Sequence, residues 1–451
     1  MITKLRLKGF KSFDNIELDL RPFQVFVGIN GAGKSNIFDA LQLISRIANQ
    51  DLLTAFGMGR GDIHEYFTRI GERYSDEMCL SVDLLLPTKV TDEWGQSASL
   101  KFNRLNYEVT IARHNEGSGR IRLIVKKESL GPIPRASDDW IKTEQLHSDS
   151  PWLPKLSGGR SVGFISTNEK GDILLHQDGH GGLQGRPSGL TRTILSSVSN
   201  AEFPHALATR QELSKIKLLQ LDPAVMRMPS SFEASEDLLP SGQNMASMLA
   251  RLDRERPRIL KALSSQIASF VPDFSALEVR KDDIRRLYTI WAREGNEQFS
   301  AQVLSDGTLR LIALVALRED PRHSGVILFE EPENGVHPTR ISHMAKLLKE
   351  LATDFNDDPG DDGLSQVLIN SHSPRFMAEV DDEDLLLVHG IKAVIPGHGS
   401  EQRSKVTKVK TDRMHLTSED SENFWVRRQI EQMLDEEPLK EAKGRLVLDG
   451  V

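Results

Sequence analysis

The sequence contains one cysteine, Cys79, which excludes an internal disulfide bond. A chain of 451 residues with a single cysteine is typical of a reducing compartment. Because the apolar residues Met78, Leu80 and Val82 surround it, Cys79 is predicted to be a structural thiol in a strand rather than a nucleophile.

Long apolar runs are also lacking. The longest run near the middle of the chain, from Leu311 to Leu317, is far shorter than the roughly 20 residues that span a bilayer. The opening MITKLRLKGF lacks the apolar core of a secretion signal. We therefore expect a cytoplasmic protein that does not enter a membrane.

Positive charge is not in excess, since the formal net charge is -8. No global positive field would draw nucleic acid to the chain, although a local basic face stays possible. With 38% apolar and 27% charged residues, the composition is that of a globular protein. The length favours two or three structural units.

The stretch GINGAGKSN, residues 28–36, has the complete P-loop pattern. An apolar run precedes it and an amphipathic helix follows, which disfavours a chance glycine-rich turn. In this pattern backbone N–H groups surround phosphate oxygens, the lysine binds the β- and γ-phosphates, and the serine hydroxyl binds Mg²⁺. The candidate nucleotide-binding residues are Gly28, Asn30, Gly31, Gly33, Lys34, Ser35 and Asn36.

A second candidate anion site lies at Ser305-Asp306-Gly307, where a helix that is apolar nearly all round is predicted to begin. By itself this pattern is equally typical of an ordinary helix N-cap.

Two short apolar strands each end in groups suited to catalysis. The run 325–329 is followed by Glu330 and Glu331, which would face the ligand crevice at the carboxyl end of a buried strand. One carboxylate can hold Mg²⁺ and the other can orient or deprotonate water. The run 367–369 is followed by His372, which could hydrogen-bond the γ-phosphate or that water.

In this order the four motifs resemble ABC-type ATPases of the branch that contains the SMC, RecF and overcoming-lysogenization-defect families. The opening ITKLRLKGFKSFDNIELDL is similar to the N-terminal hairpin of that branch, and EEPENGVHP and SHSPRFM resemble short RecF-like "AAA family" ATPases. The resemblance covers most of residues 1–390 and is strongest at the motifs.

The resemblance implies an α/β fold, namely an ABC-type P-loop ATPase head with a mixed β-sheet and flanking helices, here with inserted β-rich and helical segments. It also implies ATP and Mg²⁺ as cofactors and two ATP molecules sandwiched between two subunits. Lys34 and Ser35 would bind phosphate and metal in one subunit, with Glu330 in the place of the Walker B aspartate. Ser305 and Gly307 would cap the γ-phosphate of the ATP held by the other subunit.

By the same resemblance, Glu331 would be the catalytic base, His372 the switch histidine and Glu333–Val336 the loop that crosses the dimer interface. Two features depart from the family. Glu330 is one methylene longer than the usual aspartate, and no metal-binding glutamine loop is evident between the P-loop and the insertion. Hydrolysis is therefore expected to be slow or switch-like.

We expect the ATPase core in residues 1–55 and 297–390, a β-rich insertion in 56–192, a helical lid returning to strands in 193–296, and a tail in 391–451 that could dock a partner. Residues from about 193 to 220 and from 243 to 270 have helical periodicity. The second stretch has an apolar stripe from Met245 to Leu263, and Arg251, Arg254, Arg256 and Arg258 are among its other residues. We interpret these as a solvated basic face, with a DNA-backbone contact as the alternative. A metal site at His176, Asp178 and His180 is a weaker alternative still.

The resemblance implies a nucleotide-dependent homodimer. Because the chain shows no effector chemistry of its own, we expect the dimer to gate a separate effector, a nuclease or a toxin, and by analogy with the family we expect a role in bacterial antiphage defence. A DNA-binding repair ATPase and a nucleotide-gated scaffold with little turnover stay open as alternatives, as does a nuclease hidden in the tail.

Overall fold

Two large sheets form the frame of the protein, an antiparallel sheet of eight strands and a mostly parallel sheet of six. The computed structural model describes residues 1–71, 73–115, 121–144, 152, 163–176, 184–185, 190–357, 363–394 and 403–411.

The strands of the N-terminal half are β1 (Ile2–Phe10), β2 (Phe13–Asp19), β3 (Phe23–Val27), β4 (Arg69–Ile70), β5 (Arg73–Tyr74), β6 (Glu77–Leu85), β7 (Lys89–Thr91), β8 (Ser97–Ser99), β9 (Arg104–Asn115), β10 (Ile121–Pro132), β11 (Ile165–Thr167), β12 (Ile173–Leu175) and β13 (Gln184–Gly185). Those that follow are β14 (Lys217–Leu219), β15 (Ser230–Ser231), β16 (Phe274–Asp282), β17 (Leu287–Glu294), β18 (Glu297–Ser300), β19 (Gly325–Glu330), β20 (Ser365–Ser371), β21 (Leu385–Val394) and β22 (Arg403–Thr411).

The α-helices are α1 (Lys34–Ile47), α2 (Leu52–Gly57), α3 (Trp140–Thr143), α4 (Pro204–Ser214), α5 (Pro223–Met226), α6 (Met245–Glu255), α7 (Ile259–Ala268), α8 (Asp306–Arg318), α9 (Ile341–Glu350) and α10 (Pro374–Ala378). Short 3-10 helices occupy Ile63–Tyr66, Arg135–Ser137, Leu195–Ser197, Ala301–Val303, Pro338–Arg340 and Asp382–Asp384.

The six-stranded sheet has the order β14-β19-β20-β3-β21-β22. Neighbours from β14 to β21 are parallel, and β22 is antiparallel to β21. Alternate residues of each parallel strand face different cores: Phe26 packs in one, and Val25 and Val27 pack in the other. Because parallel strands end at the same edge, the polar groups that follow β3, β19 and β20 meet there.

The eight-stranded sheet has the order β13-β12-β11-β10-β9-β6-β1-β2. The N-terminal hairpin β1–β2 therefore continues directly into the strands that follow the P-loop helix. Strands β6, β9 and β10 lie within the expected β-rich insertion, and the turn at Lys170-Gly171 joins β11 to β12. One apolar core lies between this sheet, α1 and one face of the six-stranded sheet.

The second core lies on the other face of the six-stranded sheet, under α6, α7, α8 and α9 and the small sheet of β15, β17, β16 and β18. The apolar stripe predicted for the lid helices is confirmed, since all of its members are buried: Met245, Met248, Leu249, Leu252, Ile259 and Leu263.

One segment of the expected helical lid forms part of the central sheet. Helical periodicity predicted helix over about 193–220, and α4 does lie there. However, Lys217–Leu219 forms the edge strand β14 and pairs with β19. A three-residue strand is too short for its period to be visible beside an adjacent helix.

The expected solvated basic face is wrong for Arg251, which is fully buried and forms a bidentate ion pair with Asp320 at 3.0 and 2.5 Å. Arg254 is exposed but donates to Glu236 at 2.6 Å. Arg256 donates to the backbone oxygen of Glu319 at 2.5 Å. Much of this positive charge is thus neutralised within the chain.

Two further expectations fall largely outside the described residues. Asp178 and His180 of the weak metal alternative lie there, whereas His176 Nε2 lies 2.8 Å from the Ser166 hydroxyl. The tail from 412 onwards also lies there, so neither a docking helix nor a nuclease can be described. The preceding residues 403–411 form β22, an edge strand of the central sheet.

Candidate nucleotide-binding site

The P-loop connects β3 to α1 and needs glycine for two different reasons. A Cβ on Gly28 would lie 2.1 Å from the backbone oxygen of Val388 in the neighbouring strand β21. Gly33, which precedes α1, has a φ of 110°, a conformation that side chains disfavour. The loop can thus lie close to the sheet.

The side chains after the loop lie close to it. The Lys34 ammonium is 2.5 Å from the backbone oxygen of Gly28 and 3.1 Å from that of Ile29, and the residue is buried. Ser35 Oγ accepts a hydrogen bond of 3.3 Å from Asn370 Nδ2. The Lys34 ammonium and the Ser35 hydroxyl, both predicted to bind nucleotide or metal, are therefore held next to the P-loop.

Asn36 has a different surrounding. Its Nδ2 donates to Ser12 Oγ at 2.8 Å, in the turn between β1 and β2. This contact fixes the start of α1 to the N-terminal hairpin.

Glu330, the last residue of β19, accepts hydrogen bonds from two residues that the sequence motifs do not mark. Arg60 Nη2 lies 3.1 and 3.0 Å from its two carboxylate oxygens, and Gln220 Nε2 lies 3.2 Å from Oε2. Arg60 also lies 3.9 Å from the buried carboxylate of Asp39. The charge of Glu330 is thus compensated by a guanidinium that is half-exposed.

Glu331 follows with a φ of 49°, in the left-handed region that residues other than glycine seldom adopt. Its backbone N–H donates to the backbone oxygen of Asn370 at 2.8 Å, and its side-chain Oε2 accepts a hydrogen bond from Asn334 Nδ2 at 2.6 Å. His372 Nδ1 lies 2.9 Å from Oε1. Such strain persists only where neighbours hold it, and it is frequent at functional sites.

One cavity of about 390 Å³ brings several of these groups together. The predicted residues Ser35, Glu330 and Glu331 line it, along with Gln220 and Asn370. The cavity therefore joins the P-loop serine to both glutamates at the carboxyl edge of the sheet.

Ser305 and Gly307 do not line this cavity. Ser305 is the N-cap of α8 and accepts a 3.2 Å hydrogen bond from Thr308 N. Both residues line a separate cavity of about 240 Å³, together with Val336 and Arg340. Ser305 is exposed, so the α8 N-terminus can be approached from outside.

Glu333 is a buried carboxylate at the start of the predicted interface loop. The hydroxyl of Ser371, the residue before His372, donates to its Oε1. Burial raises the pKa of Glu333, although the hydrogen bond from Ser371 acts in the opposite direction. This contact links the interface loop to the strand that carries His372.

Gln220 and Asn370 were missed by the sequence reasoning. Gln220 directly follows β14 and reaches Glu330 from the neighbouring strand. Gln220 therefore lies beside the carboxylate that is predicted to hold Mg²⁺, whereas no metal-binding glutamine was evident in the sequence. The signal in the sequence was weak: Ile216, Leu218 and Leu219 precede the glutamine, but Lys217 interrupts them and a helical pattern lies next to them.

The oxygen groups here suit Mg²⁺. The Ser35 hydroxyl, the Glu330 carboxylate and the Asn370 carbonyl oxygen are hard ligands of the kind that Mg²⁺ prefers, directly or through water. The Asn370 Oδ1 atom is buried and has no hydrogen-bond partner among the described residues. In the same part of the chain, no group of three or more His, Cys, Asp or Glu residues forms a protein-only metal site.

Comparison with known proteins agrees with this geometry. Residues 1–128 match the protein-family model "AAA ATPase domain", and residues 186–378 match "AAA domain, putative AbiEii toxin, Type IV TA system". Together the two ranges span more than half of the chain. Both ranges are therefore similar to AAA-family ATPase domains. The predicted resemblance to "AAA family" ATPases and the predicted α/β fold are thus confirmed, and with them nucleotide binding and ATPase activity in general.

A curated relative of this ATPase is the "Retron Ec83 probable ATPase" of Escherichia coli, which is 21% identical over 433 residues. The alignment covers 88% of this chain and 73% of that protein.

Solved structures similar to this ATPase include SMC heads. One is an SmcHead bound to the C-winged helix domain of ScpA, with 16% identity, 91% of this chain and 97% of that chain covered, and a TM-score of 0.47. Another is a Pyrococcus furiosus Smc head domain bound to the C-terminal domain of ScpA, with 12% identity, 91% and 96% covered, and a TM-score of 0.46. In the described part of this ATPase, no helix is both long and apolar enough to cross a membrane.

Proposed function

We propose that two copies of this ATPase close over two ATP molecules, so that nucleotide holds the copies together. The observation that supports this proposal is the separation of Ser305 and Gly307 from the cavity of Ser35. The exposed N-terminus of α8 carries a partial positive charge suited to an anion. In a two-fold dimer each copy would offer its own P-loop and receive the Ser305 of the other.

Within one site, Lys34 and the loop N–H groups would bind the phosphates, and Ser35 and Glu330 would hold Mg²⁺. When bound, Mg²⁺ neutralises phosphate charge and favours attack on the γ-phosphorus. Glu331 would accept the proton of the attacking water. The contacts from Asn334 and His372 would keep its carboxylate in place, with His372 also within reach of the γ-phosphate.

Turnover in this scheme would be slow or regulated by a partner. Arg60 and Gln220 donate to Glu330, and they compete with metal-bound water for the same carboxylate. ATP would bind the closed dimer better than the open one, and hydrolysis would release it. The output would therefore be a conformational signal.

We further propose that this signal controls a separate effector, a nuclease or a toxin, in bacterial antiphage defence. Two comparisons support this role: the relative is a retron ATPase, and one matching family model names a toxin of a toxin–antitoxin system. Both are analogies of family, so the effector itself needs its own test.

Mixing two inactive variants tests the sandwich. Lys34→Ala removes the phosphate cation, and Ser305→Arg blocks the α8 N-terminus. Each alone should be inactive. A one-to-one mixture should recover about a quarter of wild-type ATPase activity, because mixed dimers contain one intact composite site. A mixture as inactive as its components would refute the sandwich. The control is the Ser305→Arg variant alone at the same total concentration, because its dimers contain no intact composite site.

Co-purification tests the effector. We expect the product of an adjacent gene to bind this ATPase, with an affinity that differs between ATP and ADP. Association that is absent with both nucleotides would argue against effector control while leaving the ATPase assignment intact.

A further inference from the structure

We propose that Asn370 belongs to the metal site. Its Oδ1 accepts a hydrogen bond from a water ligand of the Mg²⁺ ion beside Ser35, and its Nδ2 holds Ser35 in position. The inference rests on the proposed function and adds a group to the same site.

The position of Asn370 in the sheet is the first argument. Strand β20 lies between β3, which leads into the P-loop, and β19, which ends in Glu330. The register pairs Asn370 with Glu330 on one side and with Phe26 on the other. The carboxamide therefore lies between the two elements that supply the predicted metal-binding groups.

The contacts of Asn370 are the second argument. Its Nδ2 donates to Ser35 Oγ at 3.3 Å, and its backbone oxygen accepts from Glu331 N at 2.8 Å. One residue thus contacts both the predicted metal ligand and the predicted base.

The third argument is an unpaired oxygen. Asn370 is 5% exposed, and its Oδ1 has no donor within hydrogen-bond distance in the described part of the chain. The residue lines the same cavity of about 390 Å³ as Ser35 and Glu330. A buried carbonyl oxygen is costly to leave without a donor. Because the cavity admits water-sized groups, a water molecule can supply that donor.

The chemistry of Mg²⁺ indicates that this water molecule is a ligand of the metal ion. Mg²⁺ usually keeps several water ligands, and these are strong hydrogen-bond donors because the ion polarises them. Glu330 offers a charged acceptor for one such water. Asn370 offers a neutral acceptor, which orients a second water without adding negative charge beside the phosphates.

The experiment measures Mn²⁺, a spectroscopic substitute for Mg²⁺, by electron paramagnetic resonance of the free ion in the presence of ATP and protein. Asn370→Leu removes both hydrogen-bonding groups at similar size, and Asn370→Asp keeps an acceptor and adds charge. Ser365→Ala, at the buried opposite end of β20, is the matched control. ATP affinity is measured separately in EDTA.

Wild-type protein with ATP should bind Mn²⁺ more tightly than ATP does alone; if it does not, the proposed function fails, independently of Asn370. Asn370→Leu should weaken Mn²⁺ binding about tenfold or more and leave ATP affinity in EDTA unchanged. Asn370→Asp should restore or tighten Mn²⁺ binding, and Ser365→Ala should resemble wild type.

Unchanged Mn²⁺ affinity in Asn370→Leu would overturn the inference. The inference would also be overturned if Asn370→Leu lost as much ATP affinity in EDTA as Mn²⁺ affinity. That result would indicate that Asn370 only holds the P-loop in place. If Asn370→Leu does not fold, as judged by circular dichroism, Asn370→Asp decides: weaker Mn²⁺ binding than wild type overturns the inference, and equal or tighter binding supports it.

Discussion

His372 Nδ1 lies 2.9 Å from Glu331 Oε1, although the two residues follow different strands of the central sheet. Glu331 adopts a φ of 49° at this position and is also contacted by Asn334. A strained residue whose carboxylate accepts a hydrogen bond from Asn334 and lies close to His372 is well suited to orient a single water molecule.

We therefore expect Glu331→Gln to retain ATP and lose turnover. Glutamine preserves the size of the side chain but cannot accept the proton of the attacking water. The ATPase rate should fall by about 100-fold or more, and ATP should hold the variant as a dimer in light scattering. Glu379→Gln, an exposed change at the end of α10, is the control. A Glu331→Gln variant with wild-type turnover would exclude Glu331 as the base.

Gly28→Ala should impair both folding and nucleotide binding. The added Cβ would lie 2.1 Å from the Val388 backbone oxygen, so the loop or β21 must move. We expect a loss of about 1–3 kcal/mol in the free energy of unfolding, with weaker binding of a fluorescent ATP analogue. Gly57→Ala meets no atom within 4 Å and should leave both quantities nearly unchanged. Equal behaviour of the two variants would contradict the described approach of the loop to β21.

Arg251→Met should be far more destabilising than Arg254→Met, three residues along the same helix. Removing Arg251 leaves the Asp320 carboxylate buried and unpaired, which costs about 3–5 kcal/mol. Arg254 and Glu236 are both exposed, so solvent screens that pair and it contributes little to stability. Chemical denaturation measures the free energy of unfolding of both variants. The double variant Arg251→Met, Asp320→Leu should recover much of the stability that Arg251→Met loses. The account fails if both single variants are equally stable.

Glu128 should make stability depend on pH. Burial raises the pKa of Glu128 to about 7, even though Tyr107 and the backbone N–H groups of Ile194 and Leu195 donate to it. Between an ordinary pKa of 4.5 and about 7, the folded state keeps a proton that the unfolded chain releases. The free energy of unfolding therefore falls as pH rises through this window, by about 1.4 kcal/mol per pH unit from this group.

Glu128→Gln should remove this contribution, so that its stability falls less steeply than that of wild type between about pH 5 and pH 7. Glu233→Gln is the control, because hydrogen bonds from Ser231 and Arg286 lower the pKa of that exposed carboxylate to about 2, below the window. Chemical denaturation at both pH values gives the slopes. Identical slopes for wild type and Glu128→Gln would show that Glu128 titrates normally.

The sequence predicted the P-loop and the two strand ends because each of these features is local. Residues 28–36 are contiguous. Glu330 and Glu331 follow one apolar run, and His372 lies shortly after another. Parallel strands end at one edge of a sheet, so the meeting of these groups could be expected from their order alone.

Other parts of the site could not be predicted in this way. Arg60 reaches Glu330 across 270 positions of sequence, and Asn370 reaches Ser35 across 335. Arg251 appeared solvated on its helix because its partner Asp320 comes from a different element. A polar side chain carries no local sign of which distant group it will contact.

The sequence by itself thus determined which residues can hold a triphosphate, because that chemistry is written in short contiguous motifs. Only the tertiary structure decided which other side chains complete the site and that Ser305 lies in a separate cavity. The register between strands and the packing of helices set those distances, and both depend on contacts between residues far apart in the chain.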